Sequence, residues 1–436
     1  MLYYNEISLF HIRGGLSVKV IKIALLLLCS AVFSVPGAEY KVLLTGKEKN
    51  VEAGFIGSNM YSDIALLNPS VHRAAVKLEE FSSYMPSKDS GGRETYDEEK
   101  ARIRLFFKPS VRAWSARGRR IYLVGEGRWK LEQNNGAAKY SRNWKRNNNR
   151  VTSDVTVSMK KDRAEIIVEA VFTNKGRSDC MVDFAPQFSF MREKDLVLLI
   201  PRQYTDFIDG RQKSFFYGEK VVLDNSKGRN YFWRKAAKDD TTGFIDYVAR
   251  ERIPFSNPAV NRLDVFGFVQ LPGKSNLVWD LRNSADAESL QYIELGWEKG
   301  YADSVISWNV LLKRGETKKI KFRLITVKGL SRFDAVSSNM LVGYSVAKDR
   351  LIIEMAPLSA LGLSLLNGNV INSQNKQVLI KREDVEIAEM QPFNPGRMEW
   401  PSPTVFNRSI SYPISISLKS KENGSVLLQS DGMIVP

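Results

Sequence analysis

The chain of 436 residues carries 64 Lys and Arg against 48 Asp and Glu, giving a formal charge of +16 and a sequence pI of about 9.6. With 43% hydrophobic and 26% charged residues it describes a folded protein, excluding disorder, collagen-like repeats and a polytopic membrane chain. Two His and two Cys exclude a disulfide scaffold, a zinc-finger array and a His-built metal cage.

Residues 23–33 (IALLLLCSAVF) follow Lys19 and Lys22 and precede Ser34-Val35-Pro36-Gly37-Ala38. A basic start, a short apolar core and small exit residues describe a secretory signal peptide, cleaved after Gly37 or Ala38. The run is shorter than the roughly 20 residues a membrane span needs. Residues 1–37 therefore read as a leader, with 1–17 an upstream extension, and the mature protein as secreted or periplasmic. Loss of Arg13, Lys19, Lys22 and Glu6 lowers the charge from +16 to +14 and leaves His72 and Cys180 as the single His and Cys. A lone Cys in an exported chain forms no internal disulfide, so Cys180 reads as a small buried hydrophobe.

Helix signals are sparse. Over 71–81, Val71, Ala74, Ala75, Leu78 and Phe81 share one side, and 95–105 is a second candidate. Period-two alternation dominates from there on, with strands predicted over 121–124, 151–159, 164–173, 196–201, 265–271, 277–281, 290–295, 304–312 and 318–327. Turn signals separate them, among them Lys160-Lys161-Asp162, Asn174-Lys175-Gly176 and Lys313-Arg314-Gly315-Glu316. Residues 331–344 read as a helical or loop connector. Beyond it, short strands are predicted over 351–355, 360–366, 377–381, 411–418 and 425–429, with the Pro- and Gly-rich stretch 391–403 among them. The fold class is all-β: a large antiparallel two-sheet body over 38–330, a connector over 331–348 and an immunoglobulin-like β-sandwich over 349–436.

Two stretches carry a resemblance. Residues 164–190 run strand, Asn-x-Gly turn, strand and aromatic segment; residues 290–330 place a Glu-bearing strand before a Trp-bearing strand, a Gly-Glu turn and a closing strand. In outline, residues 40–330 resemble the galactose-mutarotase-like supersandwich. That resemblance implies a groove on a concave face that binds sugars. The family's epimerases use a His as general acid where this chain reads Asp183-Phe184-Ala185-Pro186-Gln187-Phe188, without a His. Their general base is a Glu on a late strand, and Glu294 stands in a comparable place, which makes it the catalytic candidate.

Basic and aromatic residues cluster in 111–130, with Arg112, Trp114, Arg117, Arg119, Arg120 and Trp129, and in 140–150, with Tyr140, Arg142, Trp144, Lys145, Arg146 and Arg150. Aromatic rings cover the C–H faces of a sugar, and Arg offers a planar fork to carboxylates or sulfates. Tyr231-Phe232-Trp233-Arg234 is a third cluster; successive strand residues alternate, so the four cannot share one core face. The carbohydrate-binding candidates are Trp114, Arg142, Trp144, Arg146, Trp233 and Arg234. Asp206 with Asp209, Asp239 with Asp240, and Tyr204, Tyr217 and Tyr231 could serve acid–base chemistry, but no spacing selects among them. Phosphate-binding, metalloprotease and serine-hydrolase motifs are absent, and no cofactor or metal is called for.

These residues predict an exported protein that binds carbohydrate, including anionic polysaccharide, with neither nucleic acid nor a membrane span as partner. A polysaccharide lyase or glycoside hydrolase on the same scaffold, and a non-catalytic structural or adhesive envelope protein, are the alternatives.

Overall fold

In Asn149–Met159, every second residue from Val151 to Met159 is buried, and in Glu165–Asn174 the buried apolar residues are Ile166, Val168, Ala170 and Phe172. One apolar face per strand demands a second layer, and the fold supplies it. The computed structural model describes residues 39–44, 52–67, 87–88, 94–95, 101–107, 109–115, 118–134, 136–191, 195–208, 211–222, 230–235, 244–246, 265–271, 275–282, 290–298, 301–434 and 436. They form strands and turns with no helix among them.

The first sheet has 12 strands. Glu39–Leu44, Glu52–Ser58, Ser62–Leu67, Ala101–Phe106 and Gln187–Met191 lead in that order to Tyr301–Leu312. Cys180–Phe184, Ser110–Trp114 and Arg120–Tyr122 continue from the second half of Tyr301–Leu312. On its other edge lie Leu290–Glu298, Asn230–Lys235 and Phe244–Asp246.

The second sheet has 13 strands. From its free edge, Val124–Asn134, Ala137–Arg146, Asn149–Met159, Glu165–Asn174, Thr317–Lys328, Ser275–Asp280 and Val265–Leu271 run to Asp195–Ile208 and Arg211–Val222. A single parallel pairing, Phe216 against Gly432, then joins four C-terminal strands to it.

Ile103, Leu105, Val111, Val182, Phe184, Trp308 and Val310 from the first sheet meet Tyr140, Val155, Val168, Phe172, Trp279 and Phe322 from the second in one buried cluster. Phe184, Trp308 and Phe322 stack through it, with ring centroids 6.0 and 5.3 Å apart. The all-β fold class therefore stands.

The helix expected over 95–105 is corrected: Ala101–Phe106 is a strand, with Ile103 and Leu105 in the core. Residues 331–344 are likewise not helical. Ala335–Val336 and Met340–Ala347 pair with each other, and Met340–Ala347 pairs with Arg350–Pro357, so strand structure enters the stretch expected as connector. The proline-rich stretch holds a further strand, Gly396–Pro401. The helix expected over 71–81 and the leader over 1–37 lie outside the described residues.

The C-terminal strands enclose their own core of Tyr344, Ile353, Leu366, Trp400, Ile414 and Leu418, between Met340–Ala347, Arg350–Pro357 and Gly396–Pro401 on one side and Ser364–Ile371 and Tyr412–Ser420 on the other. A third cluster joins the two bodies. Val278, Ile325 and Val327, on the outer face of the second sheet, pack with Leu330, Phe333, Leu341 and Leu358. Tyr61 meets Phe393 edge-on at 5.2 Å, and the Lys328 ammonium lies 4.6 Å from the Phe393 ring centre.

Beside this seam a buried guanidinium is hydrogen-bonded through all three of its nitrogens. Arg323 donates Nε–H to Asp280 Oδ2 at 2.9 Å, Nη1–H to Glu165 Oε2 and Ser338 O at 3.1 Å each, and Nη2–H to Ser337 O at 2.6 Å. Arg163 holds the other oxygen of Glu165 at 2.6 Å and also reaches Ser338 O. Burial pushes the Asp280 carboxyl up, but the hydrogen bonds and charges of Arg282 and Arg323 together outweigh it and hold it below the usual carboxylate range. A carboxyl held low when folded adds stability that is complete above its unfolded value and is lost as pH falls through its folded value. Asp280→Asn leaves Arg323 short of one counter-charge. It should cost about 3 kcal/mol at neutral pH in denaturant unfolding. Wild type and variant should converge as pH falls below about 4.

Candidate functional site

The strand Ser110–Trp114 buries Val111 and Ala113, so Ser110, Arg112 and Trp114 point to the outer face of the first sheet. After Trp114 a tight turn closes: Ser115 N–H donates to Arg119 O and Gly118 N–H to Ser115 O, both at 2.8 Å, with Gly118 at φ 72°. The return strand Arg120–Tyr122 pairs Arg120 with Trp114 and Tyr122 with Arg112. At Leu123, which is buried, the chain crosses from the first sheet to the second and continues as Val124–Asn134. This crossover closes one corner of the sandwich. Trp114 is 37% exposed there and Tyr122 52%.

The register extends this outer face inward. Arg112 stands beside Met181, and Met181 beside Leu311; Ser110 stands beside Asp183, and Asp183 beside Asn309. Arg112 Nη2 lies 3.1 Å from Asp183 Oδ1, and Ser110 Oγ–H donates to Asp183 Oδ2 at 3.1 Å. Burial pushes the Asp183 carboxyl above its usual range, against the opposing pull of Arg112, Ser110 and Arg120. The Arg112 Nε–H is buried and has no hydrogen-bond partner among the described residues. The corner thus combines exposed rings, a guanidinium fork, a carboxyl that holds its proton unusually well and an amide at Asn309.

Of the six binding candidates, Trp114 and Arg146 come together here. Arg146 ends the strand Ala137–Arg146, is exposed, and donates from Nη1 to Tyr122 O at 3.1 Å, tying the edge of one sheet to that of the other. Arg142 and Trp144 turn inward, away from this corner. Trp144 is 8% exposed, its indole N–H donates to Ser153 Oγ at 2.9 Å, and it meets Trp129 edge-on at 6.2 Å. Arg142 fills the irregularity between Ser141 and Asn143, 5.1 Å from the Trp144 ring centre and 5.8 Å from that of Trp129. Its Nη2 donates to Gly127 O at 3.1 Å and Gly125 O at 3.4 Å, and burial pulls its pKa down. Alternation is the reason: Ala138, Tyr140 and Trp144 are core residues, so position 142 turns inward with them.

Trp233 and Arg234 lie on Asn230–Lys235, paired with Ile293 and Tyr292, and Glu294 is opposite Phe232. That strand stands four places from Ser110–Trp114, roughly 19 Å at the usual strand spacing, so these positions do not join the corner. Their side chains, like those of Glu294, Asp206, Tyr204, Tyr217 and Tyr231, lie outside the described residues, as do His72, Asp209 and Asp239-Asp240. Cys180 is buried in the main core with its thiol near Ser178 O, and burial, aided by Asp179, pushes that thiol up to about 11. It is the small hydrophobe expected. No cluster of three or more metal-ligating side chains occurs among the described residues.

Sequence reading missed the Arg112–Asp183 pair, Tyr122 and Asn309. The pairings of Asp183 lie across strands about 70 to 130 positions apart in the chain, and no local pattern signals them.

A Cβ at position 125 would sit 2.1 Å from Arg142 Nε, so a side chain there must displace the inward guanidinium. Gly125→Ala should cost about 2 kcal/mol in denaturant unfolding. Adding Arg142→Ala should recover part of that loss, a non-additivity that a double-mutant cycle reads directly.

No family model matches the chain, and no curated relative matches it. Among solved structures it is similar to a galactose mutarotase-like protein from Clostridium acetobutylicum, at 8% identity and TM-score 0.37, covering 67% of this chain and 99% of that one. A galactose mutarotase related enzyme from Lactobacillus acidophilus aligns at 8% identity and TM-score 0.35, covering 68% and 100%. A GH36 alpha-galactosidase from Geobacillus stearothermophilus aligns at 10% identity and TM-score 0.31, covering 67% of this chain and 41% of that one. No residue is carried across from these structures.

Proposed function

We propose that the protein is exported and binds carbohydrate, an acidic or sulfated glycan, at the sandwich corner formed by Trp114, Tyr122, Arg112, Arg120 and Arg146. The observation that supports this most is the pair of exposed rings, Trp114 and Tyr122, held on adjacent strands with Arg120 and Arg112 as their direct cross-strand neighbours. A ring on a sheet is already ordered, so stacking a sugar on it loses little further side-chain freedom. The guanidinium groups supply paired donors for sulfate or carboxylate oxygens. In this reading Arg142 and Trp144 act behind the site by holding the bulged edge strand. The body is a supersandwich, and the C-terminal strands are an immunoglobulin-like accessory domain mounted on it.

An enzyme is the second reading, and Asp183 is what favours it: it is the single carboxyl among the described residues pushed above its usual range. A carboxyl of that kind can act as a general acid in glycan cleavage. Its acid form would be lost as pH rises through the elevated value, so turnover would fall in that direction.

One set of assays separates these readings. Purified protein should be retained on immobilised heparin or polyuronate at low salt and be released as salt rises, with little retention on neutral galactan. Trp114→Ala should weaken binding about tenfold. Absence of retention, or retention equal in the variant, overturns the binding site. New reducing ends or unsaturated product absorbing in the ultraviolet, lost in Asp183→Asn while binding persists, would establish the enzyme.

A further inference from the structure

Beyond the corner, the same end of the sandwich carries a concentrated positive surface. Three turns meet there. The hairpin turn Asn147-Asn148 joins Arg146 to Asn149, with Asn147 in the left-handed region at φ 52°. The second loop runs from Lys175 to Asp179, and the third from Lys313 to Glu316, with Gly315 at φ 76°.

They are stitched together through the backbone. Lys175 N–H donates to Arg150 O at 2.8 Å, Arg177 N–H to Asn148 O at 3.2 Å, Gly315 N–H to Asn174 O at 3.0 Å and Asn174 N–H to Glu316 O at 2.9 Å. The fully buried Asn174 side chain donates to Ser178 O and Leu312 O and accepts from Gly176 N–H. A Cβ on Gly176 would fall 2.7 Å from Arg150 N, so the loops are packed as tightly as glycine permits. This end is a fixed platform.

Arg146, Arg150, Lys175, Arg177, Lys313 and Arg314 are all exposed on it. Only two acids stand among them, and both face backbone: Asp179 Oδ1 accepts from Arg314 N–H at 3.1 Å, and Glu316 Oε2 from Lys313 N–H at 2.7 Å. None of the six cations forms an ion pair with any described residue. Six cations against two carboxylates leave this end with a net positive charge.

We infer that this platform is a second, electrostatic subsite that holds the continuing chain of a linear polyanionic glycan whose one unit sits at the Trp114 corner. The inference rests on the proposed binding function and adds the ligand's form: a polymer with repeated charges, not a single charged sugar. Arg146 belongs to both surfaces, through Tyr122 O on one side and the hairpin turn on the other, which makes them continuous. The platform covers the ends of both sheets, roughly 10 Å in one direction and 15 Å in the other, too wide for one sugar to span. Binding there is driven by release of condensed counterions from the polymer and falls steeply with salt.

The test uses the full-length mature protein, heparin-derived disaccharide and dodecasaccharide, and vesicles of phosphatidylglycerol. The dodecasaccharide should bind more than tenfold tighter than the disaccharide. The triple variant Lys175→Ala, Arg177→Ala, Arg314→Ala should remove that advantage and leave disaccharide binding unchanged. It should also lower the slope of log Kd against log salt by roughly 2 to 3, about one per charge removed. All three positions are exposed, and a thermal melt matching wild type confirms that the variant folds. Equal affinity for both oligosaccharides, or a triple variant with unchanged slope, overturns the platform while leaving the corner intact. If Trp114→Ala changes neither affinity while the triple variant loses the dodecasaccharide, the platform stands and the corner reading fails. Binding to the vesicles without binding to either oligosaccharide overturns the glycan assignment in favour of a lipid headgroup.

Discussion

A pleated strand that turns one residue to the core must turn the next to the opposite face, and this constraint builds both the core and the Trp114 corner. Val111 and Ala113 turned into the sandwich leave Arg112 and Trp114 facing out; Val182 and Phe184 inside leave Asp183 outside. A slip of one residue in Ser110–Trp114 would put a guanidinium and an indole into the core and two small apolar groups on the surface. The core therefore specifies the site: the large aromatic stack around Phe184, Trp308 and Phe322 holds the register on which the outer face depends.

The same constraint explains how charged groups come to be buried. The outer face of the second sheet is covered over part of its area by the C-terminal strands, and position 323 falls under that cover. An arginine there is tolerated because two carboxylates and two carbonyl oxygens meet its donors. The carbonyls belong to Ser337 and Ser338, so the charge network anchors the entry to the C-terminal body as well as the sheet. Apolar seam and ionic anchor act side by side, so the C-terminal body is held by more than the strand pairing at Phe216 and Gly432.

Arg142 shows how composition misleads about a site. A segment dense in Arg, Trp and Asn has the chemistry of a sugar-binding surface, yet half of it is invested in its own architecture. The guanidinium plugs a bulge in the neighbouring edge strand, within 6 Å of the ring centres of two indoles. Trp144 lies beneath it, and only Arg146, two positions further along, reaches the surface corner. In the sequence the three look equivalent.

Period-two hydrophobicity was enough to read the all-β class, strands such as Asn149–Met159 and Glu165–Asn174 and the buried thiol at Cys180, because each depends on alternation within a few neighbouring residues. It misjudged 95–105 and 331–344, where short stretches also satisfy a helical period and only pairing with distant strands selects the extended form. Which aromatic and basic residues share a surface was decided by cross-strand register between segments far apart in the chain. Arg112 meets Asp183, and one hairpin turn and two loops that cross between the sheets gather their cations at one end, because sheets bring together residues that local sequence cannot relate.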